Sequence, residues 1–196
     1  MVEQDILLIS SGLSPQVITE TLYYFHKSKE KINFSEVHII TDQNGWKLID
    51  KHLLKGEQWF NKFFEDYQLD RSAVEFSKET IHVLMDKDGN PLNDLLTVSA
   101  NSSAVNQIFD IIQKLTNDPK KRLITNIAGG RKTMSVIIGQ AMQFYGKKED
   151  LLTHVIIDER FLRLNDFYYP TPKSTFKIVQ DEKIDYSKIK IILNEL

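Results

Sequence analysis

The sequence predicts an α/β protein with a Rossmann-like, open and mostly parallel sheet carrying helices on both faces. Short apolar runs recur and end in hydroxyl or small polar residues, as buried parallel strands do: "DILLIS" (Asp5 to Ser10), "VHIIT" (Val37 to Thr41), "RLITNIA" and "THVIID". Between them, apolar residues fall at steps of three and four, the period of an amphipathic helix. Strand and helix alternate, and parallel neighbours joined through crossover helices need both faces of the sheet covered.

The elements follow in order. After "DILLIS" comes the turn "SSGLSP", in which Gly12 permits a tight turn or close ligand approach, Ser14 suits a helix N-cap and Pro15 suits the first helical position. Val17, Ile18, Thr21, Leu22 and Phe25 line one face of the first helix, and Glu20 is read as part of the same packed surface. Trp46 to Tyr67 is helical in pattern, interrupted at Gly56, and its aromatic set Trp59, Phe60, Phe63, Phe64 and Tyr67 reads as core or dimer surface and not as an adenine-stacking platform. "IHVLMDKDGNPLNDLL" combines a strand with an Asp-Gly-Asn-Pro turn, and the polar "TVSANSS" reads as a loop ending at a helix N-cap, so the region Asp86–Ser103 is expected to form a lid. Val105, Ile108, Phe109, Ile112 and Leu115 then mark a helix, and "PKKR" (Pro119 to Arg122) a solvated loop entering the next strand. The cleanest helix carries Met134, Ile137, Ile138, Ala141, Met142 and Tyr145 and is expected to stop at Gly146. Phe176 to Val179 and Ile189 to Leu193 are two short strand candidates in a C-terminal extension, and residues 1–196 are read as one domain.

Composition narrows the chemistry. The 25 basic and 27 acidic residues leave a net charge of −2, so the overall field provides no grip on long nucleic acid, and any anion site must be local. Zero cysteines exclude disulfides, thiolate zinc and thiol nucleophiles. No apolar stretch approaches the roughly 20 residues of a membrane span, and a cytoplasmic protein without membrane association is expected. The five histidines show no metal-binding spacing, so no metal is expected; His82 is a candidate for acid–base chemistry only through its place before the lid. "DKDGN" lacks the EF-hand pattern, because Pro91 stands where the loop glycine belongs.

The stretch "NIAGGRKTMS" (Asn126 to Ser135) holds the strongest chemical signal. Two strands feed glycine-containing turns into helix starts, and in a doubly wound sheet such turns flank the crevice where ligands bind. Helix starts present unpaired N–H groups and the positive dipole end, which favour phosphate. Gly129 and Gly130 clear side chains from the approach, and Arg131 and Lys132 add a bidentate fork and a mobile point charge. Neither turn is a Walker A loop, since Arg131 and Asn126 occupy the glycine places, and neither contains G-x-G-x-x-G, so no nicotinamide or flavin cofactor is expected. Read from its residues alone, the ligand is anionic and nucleotide-like.

"LLISSGLSPQVITETLYYF", "NIAGGRKTMS" and "FYYPTP", in this order and spacing, resemble the CRISPR-associated Rossmann-fold (CARF) proteins, the cyclic oligoadenylate sensors of type III CRISPR defence. The resemblance runs from Ile6 to about Pro172 and includes the "DGNPLNDLLT" segment. It implies a homodimer with a two-fold symmetric pocket, in which two copies of Arg131 and Lys132 meet the four phosphates of cyclic tetraadenylate; a six-membered ring remains open. Larger relatives carry a ribonuclease domain after the sensor, and this chain is expected to lack one.

Stand-alone members that it resembles are ring nucleases, which cut the messenger without metal by attack of a ribose 2′-OH on the adjacent phosphorus. On that resemblance Lys132 is expected to stabilise phosphoryl charge, Arg131 to clamp, and Ser11 to orient the 2′-OH or scissile phosphate. Ser10, Gly12, Ser14, Gly129, Gly130 and Thr133 are expected to line the ligand site. "ERFLRLNDFYYP" emerges on the same rim, which adds Arg160 and Tyr168 as ligand or dimer contacts. The alternative is a non-catalytic sensor that signals to a separate partner.

Overall fold

The computed structural model describes residues 2–29, 31–158, 161, 164, 166–173, 176–179 and 182–185. Five strands, β1 (Gln4–Ser10), β2 (Phe34–Thr41), β3 (Ile81–Val83), β4 (Lys121–Asn126) and β5 (Leu151–Thr153), form one parallel sheet in the order β3-β2-β1-β4-β5. β1 is central and buried over its last five residues, which explains its near-continuous apolar run. Leu7 pairs with Val37 on one side and Ile124 on the other, so the carboxyl ends of β1 and β4 finish level. The chain order reverses between these two strands, and that is where the crevice opens.

The pleat divides the core in two. Leu7, Ile9, Val37 and Ile39 pack under α1 (Gln16–Lys27), α2 (Gln43–Ile49) and α3 (Trp59–Asp66), whereas Ile6, Leu8, Ile40 and Leu123 pack under α4 (Val98–Thr116) and α5 (Lys132–Tyr145). Between α2 and α3 the backbone widens into a π-turn at Asp50–Leu54, and Gly56 then adopts φ +53°, the break that its place in the pattern predicts. The aromatic set on α3 is core: Trp59 stacks on Tyr168 at 4.7 Å, and Tyr169 donates its hydroxyl to Asp66 at 2.9 Å. Tyr168 is therefore buried and does not reach the ligand rim.

Three expectations are corrected. "TVSANSS" is helical from its second residue, because Thr97 accepts a hydrogen bond from the Ala100 N–H at 3.1 Å and starts α4 there. The last strand is Leu151–Thr153, and "VIID" leaves the sheet. Its alternation arises because Val155 and Ile157 are buried elsewhere, Ile157 against Phe161, Phe167 and Ile184, while Ile156 faces out. Ser14 makes no cap, since Pro15 occupies the N-cap position of α1. Beyond the sheet, β6 (Phe176–Val179) and β7 (Glu182–Asp185) form an antiparallel pair. The strand expected at Ile189 to Leu193 lies outside the described residues.

Candidate functional site

A cavity of about 510 Å³ opens at the carboxyl ends of β1 and β4. Its wall includes Gly12 and Ser14 from the first turn, Gly129, Gly130 and Arg131 from the second, and Glu20 from α1. Asp42, Asp94 and His154 join them from the three neighbouring loops. The sequence-predicted turns thus come together, and they do so backbone to backbone. A Cβ on Gly12 would stand 3.1 Å from the Gly130 Cα, one on Gly129 would lie 2.4 Å from the Ser10 carbonyl oxygen, and one on Gly45 would lie 2.9 Å from the Gly12 carbonyl oxygen. Gly130 also holds φ +78°, where a side chain is strained. Close packing of the turns by itself requires glycine at these positions, three of which also line the cavity.

Local hydrogen bonds fix the turns. Ser10 donates its hydroxyl to the Gly129 carbonyl at 2.8 Å, and Asn126 accepts from the Ala128 N–H at 2.8 Å while donating to Thr21 at 3.1 Å. Ser10 is therefore a fastener between the turns, fully buried and outside the cavity wall. Ser11 is also fully buried; its Oγ has no hydrogen-bond partner among the described residues and does not line the cavity. Lys132 and Thr133 are exposed at the first two positions of α5 and lie outside the wall. Arg160 lies outside the described residues.

Neither α1 nor α5 has a side-chain cap or an acidic residue in its first turn. By contrast, Asp42 caps α2 by accepting from the Gly45 N–H at 2.8 Å, and Thr97 caps α4. Of the three helix starts beside the cavity, those of α1 and α5 are the ones left open to an anion, and the α2 start is closed by Asp42.

The side-chain charge within one protomer departs from the expected cationic bowl. Arg131 forms a two-pronged ion pair with Asp94, its Nε 2.8 Å from Oδ1 and its second nitrogen on Oδ2. The Arg131 guanidinium holds Asp94 below the usual carboxylate range. Burial pushes Asp42 upward, against the hydrogen bond from Gly45. Burial alone pushes Glu20 up to about 8. Glu20, Asp42 and Asp94 are the acidic cavity residues that sequence reasoning gave no ligand role; the signal for Glu20 was a carboxylate amid the apolar face of α1. The segment read as a lid is fastened at the Leu92 N–H to Leu84 carbonyl bond of 2.8 Å, by Gln107 on Met85, and by the Asp94 pair.

The remaining charged candidates lie elsewhere. His82 is 3.1 Å from His38, whose other nitrogen is 2.9 Å from Glu36, which Lys121 approaches to 2.5 Å. Burial and the neighbouring His38 depress His82 to about 4, so it stays neutral, and it does not line the cavity. Among the described residues no cluster suited to a metal ion occurs, and no helix is long and apolar enough to cross a membrane.

Solved structures similar to the chain include a putative UDP-N-acetylglucosamine 2-epimerase from Listeria monocytogenes, at 16% identity and a TM-score of 0.41 over 83% of this chain and 34% of that one. A second UDP-N-acetylglucosamine 2-epimerase matches at 14% identity and a TM-score of 0.36 over 87% of this chain and 37% of that one. The chain spans about a third of the length of these epimerases. No curated protein sequence matches it. The model of the family described as CRISPR-associated protein NE0113 matches residues 14–195, a span that takes in α1, the glycine pair and Arg131. The chain belongs to the CRISPR-associated protein NE0113 family.

Proposed function

We propose that this CRISPR-associated protein binds a cyclic oligoadenylate, cyclic tetraadenylate foremost, in a pocket shared across the two-fold axis of a homodimer, and cleaves it without metal. The observation that carries this reading is the pair of uncapped helix starts meeting at one switch-point cavity beneath Arg131. Leu13 on the cavity wall, with Leu96 and Val98 just beyond Asp94, leaves apolar surface exposed near the rim, which supports a covering partner copy.

In the reaction the 2′-oxygen bonds to the adjacent phosphorus as the bond to the 5′-oxygen breaks. The 2′-hydroxyl proton leaves and the 5′-oxygen takes one up, giving a 2′,3′-cyclic phosphate. Arg131 and the N–H groups of α1 and α5 hold the phosphoryl oxygens, and such preorganised donors are worth about 3 kcal/mol each in the transition state. Lys132 stands outside the cavity of one protomer, so its share in catalysis depends on ligand lying over the start of α5 in the dimer.

The positions of Lys132 and Ser11 favour a second reading, a sensor that binds the ring without cutting it. Purified protein incubated with cyclic tetraadenylate and excess chelator separates the two: linear adenylate ending in a 2′,3′-cyclic phosphate supports cleavage, an intact bound ring supports the sensor, and no binding overturns both. Arg131→Ala is expected to lower cleavage by about 100-fold or more in that assay.

Asp94 occupies the guanidinium that a phosphate would use, and the pair is partly solvated. Asp94→Asn is expected to tighten binding of cyclic tetraadenylate by up to about fivefold, the scale of a partly exposed ion pair. Titration calorimetry would show this, and weaker binding by the variant would mean that Asp94 itself holds the ligand.

A further inference from the structure

Glu20 follows Gln16 by one helical turn, which sets it about 6 Å further along α1 than the helix start. It is 8% exposed yet lines the cavity, and no hydrogen bond or ion pair engages its carboxyl among the described residues. The wall also contains Val17, Val155, Ile157 and Phe161. Apolar surface beside a carboxyl that no hydrogen bond engages among the described residues suits the flat faces and polar edge of a base, while the helix starts and Arg131 suit its phosphate.

We propose that Glu20, in its acid form, reads the adenine edge on which the amine stands beside a ring nitrogen. The carboxyl O–H donates to the ring nitrogen, and the carbonyl oxygen accepts from the amine. The inference rests on the cyclic oligoadenylate reading and names the residue that recognises the base. An ionised carboxylate only accepts, so it satisfies the amine but opposes the lone pair of the ring nitrogen.

The site supplies the acid form. Burial raises Glu20 to about 8, with no charged neighbour contributing to the shift. The charged and titratable groups facing the same cavity are Asp42 at the start of α2, Asp94 before α4, Arg131 at the start of α5 and His154 after β5. Asp94 and Arg131 are paired with each other, and Asp42 is engaged by the Gly45 N–H.

Glu20→Gln isolates the proton, because an amide presents one donor and one acceptor at every pH. Binding of cyclic tetraadenylate is measured from pH 6.5 to 9.5 for the wild type, Glu20→Gln and Glu20→Ala, each shown to be folded by its thermal melt. Wild-type affinity is expected to fall about fivefold between pH 8 and 9. The glutamine variant is expected to stay within about twofold across the range, and the alanine variant to bind about tenfold more weakly than the wild type at pH 6.5. A shared pH profile for wild type and Glu20→Gln, a glutamine variant no better than alanine, or an alanine variant equal to wild type overturns the assignment and leaves the proposed function standing. A wild type that binds neither cyclic tetraadenylate nor cyclic hexaadenylate at pH 6.5 overturns both.

Discussion

Glu20→Gln is expected to stabilise the fold at pH 8 by an amount on the order of 4 kcal/mol and to leave it nearly unchanged at pH 4.5. The folded carboxyl keeps its proton up to about pH 8, whereas the unfolded chain releases it near 4.5. Below 4.5 both states are protonated and Glu20 carries no pH-dependent cost. As pH rises from 4.5 to about 8 the unfolded state gains by ionising, and wild-type stability falls by about 1.4 kcal/mol per pH unit from this group. Above 8 the loss is complete. Urea unfolding of both proteins at the two pH values tests it, and parallel stabilities would show that Glu20 ionises in the fold as freely as in the unfolded chain. The effect is a large share of the 5–15 kcal/mol typical of a domain.

Gly129→Ala is expected to destabilise by about 3 kcal/mol and to lower the melting temperature by about 10 °C. The added carbon would meet the Ser10 carbonyl oxygen at 2.4 Å and the Ser11 Cα at 3.2 Å, both backbone, so relief requires moving β1 or the start of α5. Gly139 within α5 is the control: the nearest atom to its added Cβ is a Leu152 methyl at 3.8 Å. Gly139→Ala is expected to stabilise by about 0.5–1 kcal/mol through helix propensity. Equal melting temperatures for the two variants would remove the packing account of Gly129.

The sheet was legible because burial writes a local record. The carboxyl halves of β1, β2 and β4 are hidden on both faces and read as short, mainly apolar runs, and α5 shows its face at regular steps. The break at Gly56 was legible for a similar reason, since a positive φ within a helical pattern selects glycine. β5 was misplaced because "THVIID" alternates for a reason remote in sequence: Val155 and Ile157 are buried away from the sheet.

At the cavity, the two turns were legible and the fate of their side chains was not. Ser10 bonds across 119 residues to Gly129, and Arg131 meets Asp94 across 37, so only the folded topology shows that both are engaged. Glu20 was assigned to packing because its neighbours on α1 are core, yet the same burial leaves its carboxyl on the cavity wall.

Gly45, Gly12 and Gly130 touch main chain to main chain across the ends of β2, β1 and β4. At Gly45 the Thr41 hydroxyl crowds the same space, 2.2 Å from where a Cβ would stand. A side chain at Gly45 or Gly12 would have to push backbone aside, so the ends of three strands and the starts of α2 and α5 share one spacing that only bare main chain can keep.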